Sequence, residues 1–338
     1  MRQVLHLVSP HREYYSWEGD WHSYLLSEFD LCHHFDPARQ FVAPHTILVV
    51  TGRDLHPDAT EAVSGGNQGS AYEHLRRFRK AGLKVGVIHV SDEWSHDPID
   101  FYPNAAFVFR NYYRAAAQRP GKGGYFGLGW KAGFRTALVD KPIQGRTWQW
   151  SFAGMLKSTR TTMLRSAQRV PGGKHFAATG FGGQGGGIPT HEYAQMLNDT
   201  VFALCPRGNT VVDCFRVYEA LEAGAIPIVE DDGGLDLAGE LLWPWNFQRI
   251  EAWRRSYWRY HFKDPRRPSF WKMAYGPNFP CPRIMHWETL DVLLRRLDVA
   301  EVSARCRAWW AGYKQELRGL MTRTVRETWP LGRERRGS

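Results

Sequence analysis

The sequence predicts an α/β protein that uses one architecture twice: two doubly wound parallel sheets, each covered by helices. Three observations carry that expectation. A chain of 338 residues has room for about two units of roughly 150 residues each. Short apolar runs bounded by turn residues alternate with longer segments of helical period, as in a parallel sheet wrapped by its crossover helices. The alternation lapses in a glycine-rich stretch at residues 121–133 and then resumes.

In chain order, the first half offers strand-like runs at residues 4–8, 46–51, 85–90 and 106–109, with helical segments at 21–29 and 71–81. The second helix sets Leu75 and Phe78 on one face and Arg76, Arg77 and Lys80 on the other. The second half repeats the pattern, with strands at 149–153, 175–179, 201–205 and 225–229 and helices at 158–168, 191–197 and 211–222. A Lys141-Pro142 join separates the halves, and residues 287–327 read as helix. The expected division is a first Rossmann-like domain at 1–140, a second at 141–300, and a helical segment with a disordered tail at 301–338, with a cleft between the two domains.

Composition is that of an ordinary globular chain, 43% hydrophobic and 23% charged, without heptads or a solenoid repeat. Subtracting 34 acidic from 44 basic residues leaves +10, a field that draws in anionic partners such as nucleotide diphosphates, acidic glycans, lipid headgroups or nucleic acid. The five cysteines, Cys32, Cys205, Cys214, Cys281 and Cys306, lie far apart and offer neither zinc-ligand spacing nor a disulfide framework. The first residues hold too short an apolar run for a signal peptide, and no later stretch approaches the roughly 20 apolar residues of a membrane span. The expectation is a cytoplasmic protein whose membrane contact, if any, is peripheral, at the inner surface.

Residues 193–232 contain strand, loop, helix, turn and strand in immediate succession. Thr210-Val211-Val212-Asp213 has the form of a capping box at the helix start, and Gly224 stands where a left-handed C-cap is needed. Such a connection aims free N–H groups and the positive helix end at the carboxyl edge of the sheet, where a diphosphate binds well. Arg207 lies in that loop, and Arg216 and Glu219 stand three apart on the helix. A carboxylate so placed accepts ribose hydroxyls in dinucleotide sites, although the same spacing serves an ordinary intrahelical ion pair.

The segment Phe202-Ala203-Leu204-Cys205-Pro206-Arg207-Gly208, followed by Arg216-Val217-Tyr218-Glu219-Ala220-Leu221-Glu222-Ala223-Gly224-Ala225-Ile226-Pro227-Ile228, resembles the donor-binding signature of exostosin-like (family 47) glycosyltransferases. The resemblance implies a GT-B fold, an inverting mechanism and a UDP-sugar bound in the C-terminal domain. It implies Glu219 on the ribose and Arg216 near the phosphates or holding that glutamate. Trp150-Ser151-Phe152-Ala153-Gly154 and Ser158-Thr159-Arg160 resemble the family's first C-terminal strand, its glycine turn and a serine-arginine pair at the next helix start. His89-Val90-Ser91-Asp92-Glu93, Phe109-Arg110-Asn111-Tyr112-Tyr113 and Gly127-Leu128-Gly129-Trp130-Lys131 look like blocks of the bacterial exostosin-like branch and its ribitol xylosyltransferase relatives. In the last block a proline is usual where Gly127 stands.

Three other motifs point elsewhere. Gly180-Phe181-Gly182-Gly183-Gln184-Gly185 matches a dinucleotide fingerprint, but six of the eight residues at 180–187 are glycine, so composition alone nearly guarantees the match, and no acid sits at the end of a strand about 20 residues on. A mobile loop over the donor site fits better. The adjacent His33 and His34 would point to opposite faces of a strand, and Asp97 and Asp100 are too far apart for a diphosphate metal clamp, so no metal site is read. Residues 253–275 interleave aromatic and basic side chains that could stack on nucleic acid, lie at a membrane surface or hold sugars; a partly buried insertion explains them about as well as all of these together, and acceptor or membrane contact comes next.

The resulting expectation is displacement at the anomeric carbon, with a UDP-sugar as co-substrate, no cofactor, and a hydroxyl of a glycan or polysaccharide precursor as acceptor. Asp92 or Glu93, following the strand at 85–90, is the expected base. Arg160 and Arg207 are expected on the leaving diphosphate, with Ser158, Gly154 and Gly208 forming the surrounding turns. The alternative is a non-catalytic basic protein that binds nucleic acid or acidic glycan, marked by steep loss of oligonucleotide binding with salt. Under the transferase expectation no nucleic-acid partner is needed.

Overall fold

The computed structural model describes residues 2–55, 71–118, 121–180, 186–231 and 269–330. It contains two compact units, Met1–Ala132 with Gly312–Ser338, and Gly133–Ala311. Each is an α/β unit built on one parallel sheet, in agreement with the doubly wound expectation.

The first unit holds β1 (Val4–Ser9), β2 (Asp30–Phe35), β3 (Thr46–Val50), β4 (Val85–His89), β5 (Phe107–Arg110) and β6 (Gly123–Tyr125), in spatial order β2-β1-β3-β4-β5-β6. Its described helices are α1 (Glu13–Trp17), α2 (Gly19–Leu25) and α3 (Ala71–Lys80). Central strands β3 and β4 are buried along their whole length, which is why they read as unbroken apolar runs. Leu75 and Phe78 of α3 pack with Leu48, Val50, Val85 and Val87, while Arg76 and Lys80 face solvent. Strands β2 and β6 were absent from the expected set. Both are edges: β2 carries polar residues and is largely exposed, and β6 is a three-residue strand with two glycines, so neither has an apolar run to read.

The second unit holds β7 (Trp148–Gly154), β8 (Gly173–Ala177), β9 (Thr200–Cys205), β10 (Ile226–Glu230) and β11 (Arg283–Ile284), in order β11-β10-β9-β7-β8. Its helices are α4 (Thr159–Ala167), α5 (Thr190–Asn198), α6 (Phe215–Glu222), α7 (Phe270–Tyr275) and α8 (Leu290–Arg296). Helix α6 starts at Phe215 rather than Val211 because the expected capping box does not form: the N-cap is Cys214, which makes no side-chain cap, and Asp213 instead accepts the Tyr218 hydroxyl. Gly224 does end the helix in the left-handed region, at φ +69°, with the Ala225 N–H returning to the Ala220 carbonyl at 2.9 Å.

The boundary falls at Gly133 rather than residue 141, and the C-terminal segment is not separate. Helix α9 (Val299–Thr328) crosses that division, and its residues from Gly312 onward belong to the first unit. There Tyr313 Oη accepts the Gly127 N–H at 2.7 Å, Arg318 pairs with Glu28 at 3.2 Å, and the Lys314 ammonium lies over the Trp130 ring. Among the described residues no helix is long and apolar enough to cross a membrane. The glycine run at 181–185, most of the basic aromatic stretch at 253–275, and the tail at 333–338 lie outside the described residues. The described end of the aromatic stretch is α7, whose Trp271 is buried and stacked on Phe279.

Candidate functional site

In the second unit the chain runs from β7 to β8 on one side and then to β9 on the other. The switch point between β7 and β9 opens the crevice at which open parallel sheets bind ligands. The loops that meet there follow β7 and β9. Ser158, after β7, has φ +52° and ψ −131°, a conformation that costs a side-chain-bearing residue about 1–3 kcal/mol and marks functional turns. Neither Ser158 at the start of α4 nor Cys214 at the start of α6 caps its helix with a side chain. Both helices thus turn a positive end toward the carboxyl edge of the sheet.

Four cations stand around these turns. Arg160 is buried and donates to the carbonyls of Met155 (3.1 Å), Arg207 (2.9 Å) and Gly208 (2.7 Å). It ties the loop after β7 to the loop after β9, so its charge reaches the edge while those N–H groups brace the protein. Lys157 reaches the Asn209 side-chain carbonyl across the same two loops. Arg216 donates to the Ala153 carbonyl at 3.2 Å and lies over the Phe152 ring at 5.6 Å. Gly154 permits this, since a β-carbon there would stand 3.1 Å from both the guanidinium and the ring. Gly208 spends its own N–H on the Val211 carbonyl at 2.7 Å, forming the turn that exposes the loop.

Arg207 is held by a residue the sequence reading passed over. Glu230, the last residue of β10, is buried, and its Oε1 accepts Arg207 Nε at 2.6 Å. Its Oε2 accepts the Arg207 backbone N–H (3.1 Å), the Thr159 hydroxyl (2.8 Å) and Trp287 Nε1 (3.2 Å). Burial alone would raise this carboxyl, but Arg207 and the converging donors hold it below the usual carboxylate range. One carboxylate thus joins the ends of β10 and β9 to the start of α4. Its signal in the sequence was an acid closing an apolar strand, obscured because Asp231 and Asp232 follow it directly.

Glu219 is buried on α6. Burial first, then the Glu219 charge, pushes the Tyr193 phenol well above its ordinary value, with Arg216 opposing. Cys205 and Cys214 are buried beside them with thiols raised by burial, which keeps both sulfurs protonated and unreactive. The structure therefore gathers Gly154, Ser158, Arg160, Arg207, Gly208 and Arg216 at one sheet edge, with Glu219 on the helix that edge feeds.

Asp92 and Glu93 follow β4 in the first unit, at a strand end as expected. Asp92 is buried; its Oδ1 accepts the N–H groups of His96 (2.9 Å) and Asp97 (3.2 Å), and its Oδ2 accepts Arg110 at 2.6 Å. With these bonds it braces its own loop. Glu93 is half-buried beside it. Ser91 and Tyr112, following β4 and β5, both have positive φ, at +69° and +58°. The ligand atoms of His89, Asp92 and Asp97 lie within 4.8 Å of one another. They are spent on protein partners: His89 meets Asp97 and the Tyr102 hydroxyl at 2.8 Å each. Burial lowers His89, with the Arg110 charge adding to the effect and Asp97 opposing.

Residues 187–237 match the family model of the RXYLT1 C-terminal domain, the segment that supplies α5, β9, α6 and β10. This match supports a glycosyltransferase. Among solved structures, the chain is similar to an α1,3-fucosyltransferase at 9% identity, with a TM-score of 0.38, over 67% of this chain and 68% of that one. It is similar also to Anabaena Alr3699/HepE, solved in complex with UDP and glucose, at 9% identity and a TM-score of 0.41, over 97% of this chain and 100% of that one. Likenesses this slight carry no weight for the site. No curated protein matches the sequence.

Proposed function

We propose that the chain is an inverting glycosyltransferase that holds a UDP-sugar at the carboxyl edge of the second unit's sheet and passes the sugar to a hydroxyl of a glycan or polysaccharide precursor. One observation carries the reading: the segment matching the RXYLT1 C-terminal domain is the segment that builds the switch-point loop and helix. The two uncapped helix starts and the surrounding cations favour a diphosphate there. Glu219 takes the ribose hydroxyls, Arg216 stands between that carboxylate and the phosphates, and Arg207, steadied by Glu230, faces the leaving diphosphate. As the glycosidic bond to phosphate breaks, fixed cations and helix ends offset the charge growing on UDP, and no metal is invoked. The reaction belongs to the cytoplasm on this reading, with membrane contact peripheral.

Thermal unfolding with UDP, GDP and CDP tests the reading. A nucleotide present at about 100 times its dissociation constant stabilises the fold by roughly 2.7 kcal/mol. A rise with UDP well above that with GDP or CDP is the expected result, and no rise with any of them contradicts it.

A further inference from the structure

We propose that the first unit binds a borderline divalent transition-metal ion, of the zinc or nickel kind, between His6 of β1 and His34 of β2, with Cys32 as third ligand. The inference is independent of the transferase reading and concerns two neighbouring strands of the first sheet alone. In their parallel register His6 stands opposite Cys32, and Val8 opposite His34, so His6, Cys32 and His34 project from one face of the sheet. His33 projects from the other, where its Nε2 meets the Ser23 hydroxyl at 3.3 Å. The two adjacent histidines of β2 therefore share no site, as strand alternation predicts, but the neighbouring strand supplies the second imidazole.

His6 Nδ1 and His34 Nε2 face each other at 2.9 Å. Two nitrogens bound at about 2.0–2.1 Å to one ion lie about 2.9 Å apart at a right-angled corner and about 3.3 Å apart at a tetrahedral one. The pair meets the first geometry as it stands and the second after a small outward shift. The Phe41 ring packs on both imidazoles, its centroid 4.2 Å from that of His34 and 5.3 Å from that of His6, and holds their planes. Burial first, then neighbouring histidines, lowers the pKa of both rings, with Asp36 opposing at His34. Both are thus neutral and carry a lone pair where a metal needs one. Among the described residues the two side chains hydrogen-bond only to each other, and the Cys32 thiol is free and exposed. The group of His89, Asp92 and Asp97 differs in this respect, because Arg110 and Tyr102 already engage its ligand atoms. Two imidazoles and a thiolate select zinc or nickel over magnesium or calcium, which prefer oxygen.

Without metal, one ring donates the N–H that the other accepts. On binding, that proton moves to the outer nitrogen of the same ring, and both facing nitrogens give their lone pairs to the ion. Cys32 loses its proton to water as its sulfur bonds the metal, and solvent completes the coordination. The ion clips the exposed edge strand β2 to β1 by bonds beside their ladder.

The test is calorimetric titration of zinc chloride and nickel chloride into the full chain, freed of any histidine tag and of bound metal, with Co(II) absorption as a second readout. One saturable site is expected, and zinc should raise the unfolding midpoint of the parent. His6→Ala and His34→Ala should each weaken binding by at least about 10-fold, the least that changes around a metal site commonly cost, and abolish the rise in midpoint. His33→Ala, on the opposite face, should bind like the parent. His6→Gln and His34→Gln, which keep a polar side chain at each position, should show the same loss of metal on an intact fold. Cys32→Ser should remove a sulfur-to-cobalt absorption band. Absence of saturable binding of either ion by the unaltered chain overturns the proposal. Parent-like affinity in His6→Gln and His34→Gln, or a loss in His33→Ala as large as that in His34→Ala, overturns it as well. Persistence of the cobalt band in Cys32→Ser overturns the three-ligand set.

Discussion

The carboxyl edges of the two sheets are alike in topology and differ in how their charges are balanced. In the second unit the loops at the switch point carry Lys157, Arg160, Arg207 and Arg216 and two helix starts without side-chain caps, against which Glu230 is a buried clamp. In the first unit the corresponding loops carry Asp54, Asp92 and Asp97, each buried and each compensated by His11 and Arg39, by Arg110, or by His89. A parallel sheet provides the crevice in both cases; the side chains after the strands decide how its charge is balanced.

The largest effect that could break this comparison comes from Glu230→Ala. Removing the carboxylate strands the Arg207 charge and the donors of Thr159 and Trp287, a loss of about 3–5 kcal/mol by the usual cost of breaking a buried pair. Both the unfolding midpoint and UDP affinity should fall. A fall in stability alone, with UDP affinity intact, would separate Glu230 from the donor edge.

Arg146 sharpens the contrast within the second unit, because it lies away from the carboxyl edge. It is buried and donates to the carbonyls of Leu197 (3.1 Å), Thr200 (2.9 Å) and Ala223 (2.7 Å), and burial lowers its own pKa to about 10. Arg146→Met leaves those carbonyls unpaired at about 1–3 kcal/mol for each group that water cannot reach. Calorimetric unfolding should register the loss while UDP affinity, once folded, stays unchanged.

A smaller effect distinguishes the units by pH. Burial raises the Glu18 carboxyl of the first unit to about 7. A raised acid is neutral in the fold and ionises on unfolding, so its contribution is full below the ordinary carboxylate pKa and is lost as pH rises toward 7. Glu230, held low by its partners, has the opposite sign, contributing above the ordinary value and losing its contribution as pH falls. Glu18→Gln should therefore flatten the decline in stability between about pH 4.5 and 7 without touching the acid limb, as read from denaturant midpoints at a series of pH values.

How much of this was legible follows from what each residue needs. Strands buried on both faces show themselves as apolar runs, which is why β3, β4, β9 and β10 were read to within a residue or so; β2, polar and exposed along an edge, shows nothing comparable. The donor loop was legible because its arginines, glycines and helix lie close together in sequence. Its clamp was not, since Glu230 is defined by Arg207, Thr159 and Trp287, distant positions that only the fold assembles. Placement after β4 correctly put Asp92 at a strand end, but Arg110, 18 positions on, decides what that carboxylate does. His11 and Asp54, 43 positions apart, become a pair only when β1 and β3 lie side by side.

Isothermal titration of UDP into the full chain and into Glu219→Ala tests the donor edge most directly. Loss of a hydrogen-bonded carboxylate at the ribose should weaken UDP by roughly 10- to 100-fold while the unfolding midpoint without ligand stays close to that of the parent. Equal affinity in the two proteins would contradict the account.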